Sequence, residues 1–289
     1  MRIKFICKDH FVSKEVFALE QCEDCGFVFT QDYPEESAIG RYYESDEYIS
    51  HSNTSKGIIN KVYQISRNLM LRKKSSFIES ITGLHSGTLL DIGSGTGYFA
   101  DFMQRKGWRV KGIEISKNAR DFSKQHFGIK VYDPSEIREL EPGTFDCITL
   151  WHVLEHFQDP ERYMQDIMKL LKPEGACIVA LPNSDSFDAL KYREFWAAWD
   201  VPRHLWHFSP ATFRRFAENS GFEVIRMKRL PLDVFYISSI SEKYKGSKLH
   251  FIKGMITGLW YWLLSSFKIP RSSSLIYVLR KKSIDRPTA

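Results

Sequence analysis

The 289-residue chain contains little of what marks several protein classes. It has five cysteines, too few and too scattered for the disulfide framework of a small secreted domain. Cys147 and Cys177 fall inside apolar runs and read as buried free thiols. Met1–Glu15 carries Lys4, Lys8, Asp9 and Lys14 and no apolar core, which argues against a secretory leader. The longest strongly apolar, charge-free stretch is Gly254–Phe267, shorter than the ~20 residues a spanning helix needs. Repeats and low-complexity tracts are missing, so solenoid and disordered classes drop out. A cytoplasmic protein follows as the expectation.

Charge is also scarce in one sense. The net +6 is modest, and it is concentrated at one end. From Glu242 onward there are ten Lys/Arg against two Asp/Glu, so the rest of the chain is slightly acidic. That is too local for a nucleic-acid footprint, and no nucleic-acid-binding motif occurs. The same tract holds "LWYWLL", so residues 243–271 are a candidate membrane-surface contact, with a solvated face around a core helix as the other reading.

What is present is an alternation of strands and helices. Residues 53–82 read as a helix with Ile58, Val62, Ile65 and Leu69 on one apolar face and Lys61, Arg67 and Lys74 solvated. Strands are expected at Thr88–Ile92, Trp108–Glu114, Ile129–Tyr132, Phe145–Leu150, Ala176–Leu181, Phe222–Leu230 and Ser274–Lys282. Helices are expected at Tyr98–Lys106, Lys117–Phe127, Pro160–Leu171 and Pro210–Ser220, the last stopped by Gly221. Short continuous apolar strands between helices imply an α/β fold whose parallel sheet is covered on both faces. The expected organisation is an irregular N-terminal extension (1–52) and one α/β domain (53–289), with a helical insertion at 231–271.

The strongest local signal is Asp91-Ile-Gly-Ser-Gly-Thr-Gly97, after a strand and before a helix. Glycines allow a tight turn and close approach to a ligand, and the following helix N-terminus favours negative charge. Glu114 closes the next strand, where a carboxylate can accept from two ribose hydroxyls. The glycines at 93, 95 and 97 do not follow the dinucleotide spacing Gly-x-Gly-x-x-Gly, and Asp91 suits a ligand with an ammonium group better than a pyrophosphate.

These residues resemble motif I of the class I S-adenosylmethionine-dependent methyltransferases. The resemblance runs from about Gly87 to Leu181, and "FDCITLWHVLEHFQDP" (Phe145–Pro160) is similar to that superfamily's fourth-strand motif in ubiquinone-type O-methyltransferases. It implies a Rossmann-like seven-stranded sheet and S-adenosylmethionine as cofactor. By position, Asp91, Gly93, Ser94, Gly95 and Gly97 would contact the methionine part, Glu114 and Ile115 the ribose region, Asp133 the adenine, and Trp151 and His152 would line the site.

Methyl transfer needs alignment, and a base where the acceptor must lose a proton. His152, His204 and His207 are the candidate catalysts. His152 and His156, with Glu155 between them, lack the third ligand of a zinc-protease motif, so no metal is assigned. "QCEDCGFVFT" (Gln21–Thr30) resembles the second knuckle of a zinc ribbon found before sugar methyltransferase domains. Cys7 and His10 are the only upstream candidates to complete it; the first knuckle is absent, which favours unliganded thiols. Tyr43, Tyr48 and His51 are candidate lid residues over the cofactor, or else pack on the first helix.

Sugar C-methyltransferases of that type carry His-Glu-His and then Tyr-Phe-Ser where this chain reads "RHLWHFS" (Arg203–Ser209). His204 is retained. Arg203 replaces the glutamate and becomes a candidate for an acceptor phosphate or carboxylate. Trp199 and Trp206 read as pocket wall or core. The expected activity is methyl transfer to a small-molecule acceptor, a sugar or polysaccharide precursor. The alternatives are O-methylation of a quinone, aromatic or lipid-linked acceptor at a membrane surface, a non-catalytic S-adenosylmethionine-binding protein, and a nicotinamide-dependent oxidoreductase.

Overall fold

The computed structural model describes residues 1–43 and 58–282, the side chains of 58–66 excepted. Among the described residues, two sheets organise the chain. The larger contains β4 (Thr88–Ile92), β5 (Arg109–Ile113), β6 (Val131–Tyr132), β7 (Phe145–Trp151), β8 (Leu171–Pro182), β10 (Phe222–Arg229) and β11 (Ser274–Lys281). Their spatial order is β10-β11-β8-β7-β4-β5-β6. β4 through β8 pair in parallel, whereas β11 is antiparallel to both β8 and β10. The sheet is therefore mixed, not wholly parallel. The chain returns from the insertion at the same sheet edge that β10 left, so β11 must run back against its neighbours.

Alternate residues of these strands supply two cores. Leu90, Ile148 and Val179 face one cluster with Phe208 and Phe213; Leu89, Cys147 and Ile178 face the other with Ile78, Phe99 and Met103. Both faces are sealed, which explains why the strands are apolar throughout. Helix ends follow local chemistry. Ser116 caps α4 (Lys117–Phe127), and Asp159 followed by Pro160 opens α5 (Pro160–Leu170). Ser209 forms a capping box with Thr212 at α7 (Pro210–Asn219), and Gly221 ends that turn at φ +82°.

The first long helix differs from its expected phase at Leu69; the side chains of Ile58, Lys61, Val62 and Ile65 lie outside the described residues. In α2 (Ile58–Thr82; α1 is the short turn Glu36–Ile39) Leu71, Ser75 and Ile78 are buried, while Leu69 is exposed. The C-terminal half lies on the sheet, and the 71/75/78 stripe is about two residues out of step with the Leu69 stripe, on the opposite side of a 3.6-residue turn. Lys74 and Arg67 are not simply solvated. The Lys74 ammonium sits 4.2 Å from the Trp151 ring centre, and the Arg67 guanidinium 3.6 Å from that of Tyr98.

The N-terminal segment is not irregular. β1 (Arg2–Lys8), β2 (Val16–Gln21) and β3 (Val28–Thr30) form an antiparallel sheet, and its fourth strand is β9 (Trp206–His207) from 174 or more residues downstream. Val28 pairs with His207 and Phe29 with Trp206. Cys7, Leu19, Trp196 and Trp199 form a third cluster beneath this sheet. Between β10 and β11 stand α8 (Asp233–Tyr244) and α9 (His250–Phe267), antiparallel neighbours joined by a short loop; α3 (Tyr98–Arg105) follows the glycine loop and α6 (Phe187–Tyr192) follows β8.

Candidate active site

Gly93, Gly95 and Gly97 all adopt left-handed backbone, at φ +72°, +54° and +83°. The reasons differ. A Cβ on Gly93 would meet Val153 Cγ2 at 2.3 Å, and one on Gly97 would meet Ser123 Oγ at 2.2 Å. Gly95 has no atom within 4 Å of that position, so its bare edge faces open space. The Gly95 amide donates to Glu114 Oε2 (2.9 Å) and the Ser116 amide to Glu114 Oε1 (2.9 Å), which ties the loop to the end of β5. Each carboxylate oxygen keeps an unused lone pair.

Asp91 is buried on β4 and accepts from Thr149 Oγ1 at 2.6 Å. Burial raises its pKa to about 6, against the opposing pull of Thr149 and Lys74. Burial likewise lowers Lys74 to about 8, opposed by Asp91 and Asp233. Among the described residues, the hydroxyl of Ser94 and the indole Nε1 of Trp151 are buried without a hydrogen-bond partner. A carboxylate that lacks a close cation, an open glycine edge and two orphaned polar atoms fit a ligand with an ammonium group, a carboxylate and a ribose. Asp133 lies farther out: its carboxylate accepts from the Ser135 amide (3.1 Å) and pairs with Arg120 (3.0 Å). Ile115 is exposed beside Glu114.

Next to this loop, β7 ends in a tight turn. His152 takes φ +58°, and Val153 fills the space that Gly93 leaves. The turn projects His152, Glu155 and His156 toward residues brought by two other segments. His152 Nε2 lies 3.1 Å from Asp233 Oδ2 of α8, and Nδ1 lies 3.5 Å from Glu155 Oε1. Burial works against charge on this ring. The hydrogen bonds and charges of Asp233 and Glu155 outweigh it and hold the pKa at about 10. His152 is therefore an imidazolium at neutral pH, a cation in the site and not a ready base.

Glu155 is 1 % exposed, and among the described residues its carboxylate has no donor nearer than His152 Nδ1 at 3.5 Å. The Leu205 amide donates to the Glu155 carbonyl (2.8 Å), which pins the post-β8 loop here. His204 Nε2 then stands 4.0 Å from Glu155 Oε1 and 3.9 Å from Asp200 Oδ2, while Nδ1 lies 2.9 Å from the Ala198 carbonyl. A carbonyl only accepts, so Nδ1 donates its proton there, and Nε2 is the nitrogen turned toward the two carboxylates. His156 Nδ1 is bound in the same way to the Arg203 carbonyl (3.0 Å) and lies 3.0 Å from the Tyr43 hydroxyl. Burial and the neighbouring His204 depress His156 to about 4, so it stays neutral. Donor atoms of Glu155, His156 and His204 lie within 4.8 Å of one another, the group among the described residues with spacing that could hold a metal ion.

Two candidates change role. His207 is buried in β9 with Nε2 3.0 Å from Thr30 Oγ1 and its ring edge-on to Trp199. Burial drives its pKa far down. It is a packed aromatic and leaves the catalytic set. Arg203 is 3 % exposed and fully engaged: it donates to both Asp200 oxygens (3.0 and 3.1 Å through Nε), to Asp9 Oδ1 (3.1 Å) and to the Tyr42 carbonyl (3.0 Å). Two carboxylates already neutralise it, so it has no charge to offer an acceptor. Trp199 and Trp206 are core, their indoles donating to the carbonyls of Arg193 and Phe157. Cys7 is buried and protonated, pushed up to about 12 by burial, and His10 stacks on Tyr244. Both are thus committed to packing, away from the Cys22–Cys25 turn. Tyr48 and His51 lie outside the described residues. The sequence missed Glu155 as a central group, and also Lys74 and Asp233; Asp233 lies in an insertion 81 residues beyond His152, with no spacing signal to mark it.

A cavity of about 370 Å³ lined by Thr88, Arg109, Lys111 and Lys172 opens at the opposite edge, where the parallel strands begin. Ligands of open α/β sheets bind beyond the strands' carboxyl ends, so the glycine loop and the β7 turn mark the site.

A mixed sheet of this order with a glutamate at the end of its second strand and a glycine loop after its first defines a class I S-adenosylmethionine-dependent methyltransferase. The methyltransferase domain family matches residues 65–227, more than half of the chain, and the chain belongs to that family. It is 29 % identical over 176 residues to the ubiquinone biosynthesis O-methyltransferase of Cupriavidus pinatubonensis, covering 55 % of this chain and 71 % of the relative. It is 28 % identical over 203 residues to the protein of the same name from Rickettsia bellii, covering 65 % and 83 %. In fold it is similar to the 1,6-didemethyltoxoflavin-N1-methyltransferase of Burkholderia thailandensis, solved with S-adenosylhomocysteine bound (TM-score 0.53, 15 % identity, 96 % and 100 % covered). A methyltransferase from Archaeoglobus fulgidus shares the fold at TM-score 0.50 and 17 % identity, with 74 % and 94 % covered.

Proposed function

We propose that this enzyme methylates a hydroxyl group of a small acceptor, an aromatic or quinol hydroxyl in preference to a sugar. The observation that carries this reading is the His204 ring, held at Nδ1 by the Ala198 carbonyl with Nε2 beside the buried carboxylate of Glu155. A hydroxyl must shed a proton to become a good nucleophile, and an imidazole with a carboxylate beside it is suited to take it. Relatives named as ubiquinone biosynthesis O-methyltransferases support the aromatic acceptor over the sugar.

Asp91, Ser94, Gly95 and Glu114 would hold S-adenosylmethionine, with Trp151 at its edge and Asp133 and Ile115 at the outer end. Bound there, it supplies a methyl group already activated on a sulfonium. The protein's own work is positioning and proton handling. The Ala198 carbonyl fixes the tautomer of His204; Nε2 accepts the acceptor's proton; Glu155 stabilises the resulting imidazolium. His152, kept charged by Asp233 and Glu155, holds both carboxylates in place beside the site. The metal-compatible spacing of Glu155, His156 and His204 lies in the same cluster. In this reading the catalytic unit is residues 53–289 in the cytoplasm, residues 1–52 are an extension, and its described residues 1–43 brace the post-β8 loop.

The test is release of S-adenosylhomocysteine by the purified enzyme over a panel of catechols, quinols and nucleotide sugars. Turnover on the first two supports the reading. Turnover confined to sugars, or none on any hydroxyl compound, overturns it.

A further inference from the structure

The insertion between β10 and β11 is built inside out. In α9, Gly254, Thr257, Gly258 and Ser265 face the protein, and the large apolar residues face away. Phe251, Ile252, Met255, Ile256, Leu259 and Trp260 are exposed, Trp260 at 59 % and Phe251 at 63 %; Phe267 at the end is 91 % exposed. They recur at steps of one, three and one, so they form a single stripe along the helix. The inner face explains why the helix cannot roll them inward. A Cβ on Gly254 would meet Ser239 Cα at 2.3 Å, and one on Gly258 would meet Phe235 Cα at 2.9 Å. The backbones of α8 and α9 touch where side chains would otherwise stand. Tyr236 of α8 and Leu249 extend the apolar surface.

Cations flank the stripe at both ends. Lys243, Lys245, Lys248 and Lys253 lie at its start and Lys268 at its finish, all exposed. Residues 243–271 contain no Asp or Glu. Among the described residues, none of these five lysines has a carboxylate within 4.0 Å. No helix of the described residues is long and apolar enough to cross a membrane. An 18-residue helix with an apolar outer face and lysines at both ends matches a helix lying in the plane of an anionic membrane surface.

We infer that α8 and α9 dock this enzyme onto an anionic lipid bilayer, with α9 flat in the interface. The stripe enters the acyl boundary, and the lysines remain at headgroup level beside lipid phosphates. A protein partner would be expected to meet such a lysine set with a shaped, acidic recess, whereas a continuous convex apolar stripe needs no shape match with lipid. The same insertion carries Asp233 to His152 at 3.1 Å, so docking would hold the acceptor side of the site near the bilayer. The docking stands on the surface alone and does not depend on which hydroxyl is methylated.

Flotation of the full chain decides it. The vesicles are phosphatidylcholine alone, or phosphatidylcholine with about one-third phosphatidylglycerol. Binding is expected to the anionic vesicles, to weaken with salt, and to be at least about tenfold weaker to neutral ones. The double variant Ile256→Glu/Trp260→Glu should lose binding by at least about tenfold. Both positions are exposed and neither is among the residues assigned to the cofactor, so its S-adenosylmethionine affinity by calorimetry should equal that of the parent and verifies folding. Three results overturn the inference: no flotation on anionic vesicles, flotation that the double variant leaves unchanged, or a dimer in solution that the double variant disperses while vesicles are ignored. The last result would assign the face to a second copy of the chain. Loss of phenolic turnover with binding intact would overturn the proposed acceptor and leave the docking in place.

Discussion

His204 is held by one carbonyl and faced by two carboxylates, those of Glu155 and Asp200, so its replacement tests proton transfer directly. His204→Ala should lower turnover by about 10²–10⁴-fold and leave S-adenosylmethionine affinity within about twofold. Full retained activity would remove it as the base. His152 is read by pH. Its folded pKa of about 10 lies above the ordinary 6.5, so it contributes stability that is complete below about 6.5 and lost as pH rises through about 10. Asp233→Asn removes a principal support. The variant should show a lower His152 titration midpoint by NMR, and it should be less stable to urea than the parent at neutral pH. That difference should vanish above about pH 10. An unchanged midpoint would mean Asp233 is not coupled to the ring. Asp91 runs the other way. Its pKa is raised from 3.8 to about 6, so folding stability falls as pH rises through that interval, and the ionised form at higher pH awaits a cation. Affinity for S-adenosylmethionine should therefore drop as pH falls below about 6, by up to about tenfold per unit. Asp91→Asn should bind weakly and lose that pH dependence; a parent affinity flat from pH 5 to 8 would contradict the assignment.

At the level of elements, the glycine loop separates folding from binding. Gly93→Ala and Gly97→Ala each place a methyl group inside an occupied space as well as a residue at positive φ. Both should destabilise the protein by more than the ~1 kcal/mol that positive φ alone costs a non-glycine residue, as seen in a lower denaturation midpoint. Gly95→Ala has only the backbone cost, because no described residue occupies the space. Its principal loss should be cofactor affinity measured by calorimetry. Equal stability losses in all three variants would show that Gly95 is not the ligand-facing member. The first long helix shows the limit of local pattern. Its apolar stripe from Ile58 to Leu69 gives a helix, yet the face that meets the sheet is set by Leu71, Ser75 and Ile78. Lys74 follows them to the site because it shares that face.

Across the whole molecule, the two sheets are joined by one buried charge cluster. Arg203 from the post-β8 loop reaches Asp9 of the N-terminal segment, 194 residues away, and both side chains are out of solvent. Removing one partner of a buried pair costs about 3–5 kcal/mol, and Asp200 remains to moderate the loss. Asp9→Ala should therefore destabilise by about 3 kcal/mol in urea unfolding, and its loss should reduce turnover by loosening the loop that positions His204. Stability equal to the parent would show that the N-terminal sheet is a passive appendage. The altered reading of "RHLWHFS" belongs at this scale. Taken alone, the stretch offers an arginine and two histidines for catalysis. In the fold, Trp206 and His207 complete a sheet started by the first thirty residues, Arg203 locks that sheet in place, and only His204 faces the β7 turn.

The sequence alone determined the α/β sheet, the glycine loop and the carboxylate at the end of β5. Each is written in contiguous residues: apolar runs that must be buried, glycines where backbone must turn left-handed, and helix caps beside them. Tertiary structure decided which polar residues meet. The pairing of Glu155 with His204, the approach of Asp233 to His152, the descent of Lys74 onto Trp151 and the outward turn of the α9 apolar face all depend on segments far apart in sequence. No local propensity encodes those distances. They arise from sheet order, which places loop ends together, and from close helix packing, which leaves some side chains no inward space.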